Sequence, residues 1–191
     1  MSSPPRFRTA AAAVRIARCF RGNRRGSAAV EFALVAPLFF ALLFAIIETG
    51  LVFFASQGLE TALQDSARMI LTGQAQTAQY DKQGFKKNVV CTYVNALFDC
   101  AKGIYVDVQS YSGFESVKIS DPIAGGIFVD NTVYKPGGPG DIVVVRLFYQ
   151  WPIFVTGLGY NIANLSGGKR LLSATAAFKN EPFPPPPPPA S

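Results

Sequence analysis

From Phe32 to Ala55 the chain reads FALVAPLFFALLFAIIETGLVFFA, with Glu48 as its only charged residue. As a helix, that run is about 35 Å long, enough to cross a hydrocarbon core of about 30 Å. It is apolar on every face, which argues against the buried helix of a soluble domain. A cleaved secretory signal has an apolar core of only about 7–15 residues leading into a small-residue cut site. This run is too long for that. The expectation is one membrane-spanning helix near the start of a 191-residue chain, with room for one modest domain beyond it.

Charge placement sets the expected orientation. Arg6, Arg8, Arg15, Arg18, Arg21, Arg24 and Arg25 all precede Gly26, and no acid does. Eleven Lys/Arg and twelve Asp/Glu follow, so the formal charge of +6 belongs to the leader alone. A basic cluster beside an apolar run orients it with that end in the cytoplasm. No nucleic-acid partner is expected. In a bacterial host the residues past Ser56 are then periplasmic. That places Cys19 on a reducing side, with Cys91 and Cys100 on an oxidising side where they can pair. Pro37 falls in the first two turns of the span, where a lost backbone hydrogen bond costs less than at midspan. Glu48 lies toward its far end. Two readings of Glu48 stand side by side: a carboxylate snorkelling to the headgroups, or a contact with a partner helix or subunit.

Between leader and span stands Arg24-Arg25-Gly26-Ser27-Ala28-Ala29-Val30-Glu31-Phe32. This stretch resembles a prepilin processing site, which implies a peptidase at the membrane surface that needs an unhindered bond, and Gly26 has no side chain to obstruct one. A cut there would leave the whole apolar helix on the product. It would also free an α-amine on Ser27, which Glu31, one turn on or on a neighbouring subunit, can neutralise.

These residues resemble a type IV prepilin processing site of the tight-adherence class. Cleavage after a glycine, with glutamate at the fifth mature position followed by Phe or Tyr, is the pattern. Arg25–Phe54, with the late Glu48, resembles the TadE-like minor pseudopilins of bacterial adhesion pili, which keep that site and helix but carry a periplasmic domain. Gly140–Arg146 and Asn180-Glu181-Pro182-Phe183 extend the likeness. The resemblance implies a prepilin peptidase that acts on Gly26, Ser27, Glu31 and Phe32 behind Arg24 and Arg25. It further implies other pseudopilins and pilus assembly proteins as partners, besides the lipid bilayer. The rival is an uncleaved, signal-anchored periplasmic adaptor.

The expected organisation is a basic cytoplasmic leader over 1–26, a transmembrane helix over 27–55 and its periplasmic continuation over 56–73. A periplasmic domain over 74–183 and a proline-rich tail over 184–191 follow. Leu59, Ala62, Leu63, Ala67, Ile70 and Leu71 recur at spacings of three and four, Gly58 is a soft point and Gly73 a terminator. A second helix is expected over Asp81–Phe98, with Phe85, Val89, Val90, Tyr93, Val94 and Leu97 on its apolar side. Strands are expected over Ile104–Gln109, Ile127–Tyr134, Asp141–Trp151 and Leu171–Phe178, with a loop at Pro136–Gly140. The fold class is α+β: a long helix packed by its second half on a small antiparallel sheet, with one further helix. A Cys91–Cys100 disulfide is expected if the chain turns back over Asp99–Gly103.

Other chemistry finds little support. The chain has no histidine, so a catalytic cysteine lacks a base and zinc lacks its commonest nitrogen ligand. No metal, cofactor, small-molecule substrate or enzymatic activity is expected. Ala163 stands where a phosphate loop ending at Gly168-Lys169 would need its first glycine. Asn164-Leu165-Ser166 matches a glycosylation sequon by chance. Asp99, Asp107, Glu115, Asp121 and Asp130 read as a solvated surface, and Pro184–Pro189 as an extended polyproline spacer.

Overall fold

A computed structural model describes residues 26–94, 98–156 and 160–184. Arg24, Arg25, Leu97 and nearly all of the proline tail lie outside them. The chain divides into two compact units between Phe44 and Ala45. A single helix, α1, runs from Ser27 to Leu71 with Pro37 inside it, unbroken at Gly58. In the first unit its side chains face outward: Leu34, Phe39 and Leu42 are exposed, and none from Ser27 to Phe44 is buried.

In the second unit α1 becomes a core element. Val52, Ala55, Leu59, Ala62, Leu63 and Ile70 share one apolar cluster with Val106, Val108, Val143, Val145, Leu147 and Leu172 of the sheet. The helix stops where Gly73 turns left-handed at φ +75°, a conformation that costs glycine little. A side chain there would also collide with the ring of Phe183. The closing segment finishes the helix end, since Glu181 N–H donates to the Leu71 carbonyl at 2.9 Å and so occupies one of its orphan acceptors. Asn180 is buried, and its amide donates to the Pro136 and Gly138 carbonyls, both at 3.0 Å. That ties the closing segment to the Pro-Gly loop.

Three antiparallel strands form the main sheet in the order β1, β4, β5, where β1 is Ile104–Tyr111, β4 Ile142–Pro152 and β5 Lys169–Lys179. Strand β4 is central and is buried from Ile142 to Phe148, as its near-continuous β-branched and apolar sequence requires. Alternation puts Val106 and Val108 against α1 and turns Asp107 to the opposite face.

That opposite face corrects the solvated reading of Asp107. Its side chain is fully buried and pairs with Arg146 at 2.7 Å. The segment between β1 and β4 covers the pair: Val133 N–H donates to Asp107 Oδ1 at 2.8 Å, and Arg146 Nη1 donates to the Ser120 carbonyl at 2.9 Å. Gln109 donates to Asp107 Oδ2 at 3.0 Å. Each charge thus has several polar partners, the condition for burying an ion pair without a large penalty.

The strand expected over Ile127–Tyr134 is also corrected. Only Ile127–Phe128, β3, pairs, with Ile123–Ala124, β2, as its partner, and Tyr134 makes an isolated parallel bridge to Val108. The Asp130 carboxylate explains the break. It accepts from the Thr132 N–H at 3.2 Å and the Thr132 hydroxyl at 2.5 Å, a local turn that competes with extended pairing.

The second helix is shorter than expected and changes pitch. It consists of an α-turn at Lys82–Phe85, a π-turn at Lys86–Val90 and a final α-turn at Cys91–Tyr93. Asp81 caps its start by accepting from Gly84 N–H at 2.7 Å. A π-turn takes more residues per turn, so the apolar face slips by one position. Val94 is buried and Tyr93 is exposed, the reverse of what a uniform 3.6-residue period would give Tyr93.

Candidate functional site

Gly26 is exposed, and among the described residues no atom apart from its chain neighbours lies within 4 Å of where a side-chain Cβ would stand. Helix α1 begins at Ser27, and one turn later Glu31 receives the Ser27 hydroxyl at 3.3 Å. Residues four apart share a helix face, so the Ser27 and Glu31 side chains stand on one exposed side of the first turn. Phe32 is exposed beside them.

Glu48 is arranged otherwise. It is buried, and each carboxylate oxygen takes one backbone amide from the loop after β4. Phe154 N–H donates to Oε1 at 2.5 Å and Val155 N–H to Oε2 at 3.0 Å. Hydrogen bonds to a carboxylate are among the stronger ones. Beside it the Thr49 hydroxyl donates to the Ala45 carbonyl at 2.7 Å and also meets the Tyr160 hydroxyl. Neither sequence reading of Glu48 foresaw this intramolecular clamp. The signal available was the uncharged run from Leu147 to Gly168, the one long segment of the domain suited to an apolar neighbour.

The Cys91–Cys100 disulfide is present, with Cα atoms 5.6 Å apart. An uninterrupted helix would separate residues nine apart by about 13 Å, so the bridge requires the helix to stop early, as it does at Tyr93. Asp99 caps the short helix Cys100–Gly103 through the Lys102 N–H at 3.3 Å. Lys86 donates to the Ala101 carbonyl at 3.0 Å. Burial pulls the Lys86 ammonium below its ordinary value, with the Asp99 carboxylate opposing. Bridge and lysine together fasten this corner. Among the described residues no three His, Cys, Asp or Glu side chains gather closely enough to hold a metal ion.

A family model described as "TadE-like protein" matches residues 26–68. The match begins at Gly26, includes Glu31 and Glu48, and ends before the sheet, so Gly140–Arg146 and Asn180–Phe183 lie outside it. No curated protein and no solved structure matches the chain. The long apolar helix fits a membrane anchor. Residues 26–68 are thus similar to the TadE-like family, a likeness to proteins of the tight-adherence pilus that covers the helix and not the sheet.

Proposed function

We propose that the chain is a minor pseudopilin, cut by a prepilin peptidase between Gly26 and Ser27, that takes part in assembling or initiating a tight-adherence pilus. The observation that carries this reading is the junction itself. An exposed glycine, uncrowded by the described residues, directly precedes an apolar helix whose first turn displays Ser27, Glu31 and Phe32.

Hydrolysis adds water across that amide. Gly26 leaves as the carboxylate end of a basic leader, and Ser27 keeps an ammonium group. Leader arginines hold the bond at the cytoplasmic face, and the domain lies in the periplasm. The new cation stands one turn from Glu31. In a low-dielectric bundle, that carboxylate offsets it on the same helix or on a neighbour. The chain itself performs no catalysis; it acts through helix packing and a displayed domain.

The test is the mass of the protein recovered from membranes of a host that has the peptidase. A chain beginning at Ser27 is expected, and Gly26→Leu should abolish the cut. Recovery of the intact leader on the wild-type chain would leave a tethered periplasmic adaptor instead. Normal maturation of Gly26→Leu would remove the assigned site.

A further inference from the structure

The clamp at Glu48 fixes more than an orientation. Glu48 lies seven residues before Ala55, so about 10 Å of apolar helix separates it from the far end of the run. Both of its oxygens are taken by the amides of Phe154 and Val155. The loop after β4 therefore lies level with the apolar helix, not beyond its end.

Large exposed side chains at that level are hydrocarbon. On α1, Ile46, Phe53 and Phe54 are exposed, and on the loop Phe154 is 81% exposed. No charged residue occurs between Arg146 and Lys169. Trp151 and Tyr160, each half-buried, flank the loop, and Trp and Tyr favour the boundary between headgroups and acyl chains. Several polar groups of this corner are met internally. Glu48 satisfies two loop amides, and Tyr160 meets Thr49 and the Ala45 carbonyl. Backbone enters a bilayer only where its polar groups are satisfied in this way.

We infer that the Ile153–Val155 loop is a second membrane contact, docked by Glu48 against α1 and bedding the Phe154 ring into the outer acyl region of the lipid. The inference rests on α1 being a membrane anchor. The domain is thereby held against the bilayer surface at two points. A neighbouring subunit's helix is the competing occupant. Lipid is favoured because Phe154 is exposed beside Glu48, on a helix stretch whose own exposed residues Ile46, Phe53 and Phe54 are apolar.

The experiment uses the full chain in phosphatidylcholine vesicles. Trp151 is the sole tryptophan, so Phe154→Trp with Trp151→Phe moves the fluorophore onto the loop. Phe40→Trp with Trp151→Phe places it deep in the anchor. Lipids brominated near the glycerol end should quench position 154 more than lipids brominated near the methyl end, and iodide in the buffer should quench it little. Position 40 should respond most to the deep bromines. Quenching at 40 but not at 154 overturns the inference and leaves the anchor intact; iodide access then means a solvent-facing loop, and its absence a protein neighbour. No bromine quenching at either position overturns the anchor and the inference together. Adding Glu48→Leu should release the loop and lower the shallow quenching at 154. If the loop variant does not fold, shallow bromines should still quench native Trp151, and failure there also overturns the proposal.

Discussion

Two glutamates stand on the same helix seventeen residues apart, and the chain treats them differently. Glu31 is exposed, and its side-chain hydrogen bond is a long one from a serine hydroxyl one turn away. Glu48 is buried and has both oxygens filled by its own domain. The contrast extends to their surroundings. From Ser27 to Phe44 no side chain is buried, whereas from Glu48 onward nine are. Among the described residues, the later half of the helix buries one face against its own domain. The earlier half presents apolar surface and an exposed carboxylate.

If the second unit owes its integrity to internally satisfied polar groups, removing one such group should be costly. Arg146→Ala leaves Asp107 buried without its counter-charge and frees the Ser120 carbonyl. A loss of about 3–5 kcal/mol is expected, read as a lower denaturant midpoint for the full chain in detergent. A midpoint that hardly moves would mean the pair is solvated after all. Next in size is the disulfide. Replacing Cys91 and Cys100 with serine opens a short loop, worth about 2.5 kcal/mol by chain entropy. Before that replacement, alkylation without reductant should leave both cysteines unlabelled.

These two elements also mark what the sequence could and could not disclose. Helix α1 and strands β1, β4 and β5 were legible because apolar run length, alternation and β-branched composition are local properties, and Gly73 announced the end of α1. The ion pair was not. Asp107 alternates with Val106 and Val108 like any solvent-facing strand residue, and only the covering segment changes its surroundings. A hint existed in Arg146, a lone charge inside an otherwise apolar strand, which needs a counter-charge if both faces are covered. The π-turn and the Asp130 turn escaped because each depends on competing hydrogen bonds that hydrophobic spacing does not encode. At the Gly26–Ser27 junction the order is reversed. There the residue types were readable at once, and the structure adds only their exposure and their shared face.

The two glutamates themselves give the finest division. Glu48→Leu should strand two amides and cost about 1–3 kcal/mol, felt locally. Hydrogen exchange at Phe154 and Val155 should accelerate by roughly tenfold or more, while core amides such as Val145 keep their protection. Uniform acceleration across the sheet would mean that the clamp supports the whole domain.

Glu31→Leu should do the opposite. It removes an exposed carboxylate that, among the described residues, accepts a side-chain hydrogen bond from the Ser27 hydroxyl alone, and surface changes of that kind alter stability by about 0.5 kcal/mol or less. The denaturant midpoint, the exchange pattern and cleavage after Gly26 should all match the wild-type chain. Pilus output should fall, because the Ser27 ammonium would then enter a helix bundle without an offsetting charge, and Glu31→Asp should restore part of it. A drop in stability comparable to that of Glu48→Leu would erase the distinction between the two helix halves. Undiminished pili would show that the exposed glutamate is not what the neighbouring molecules require.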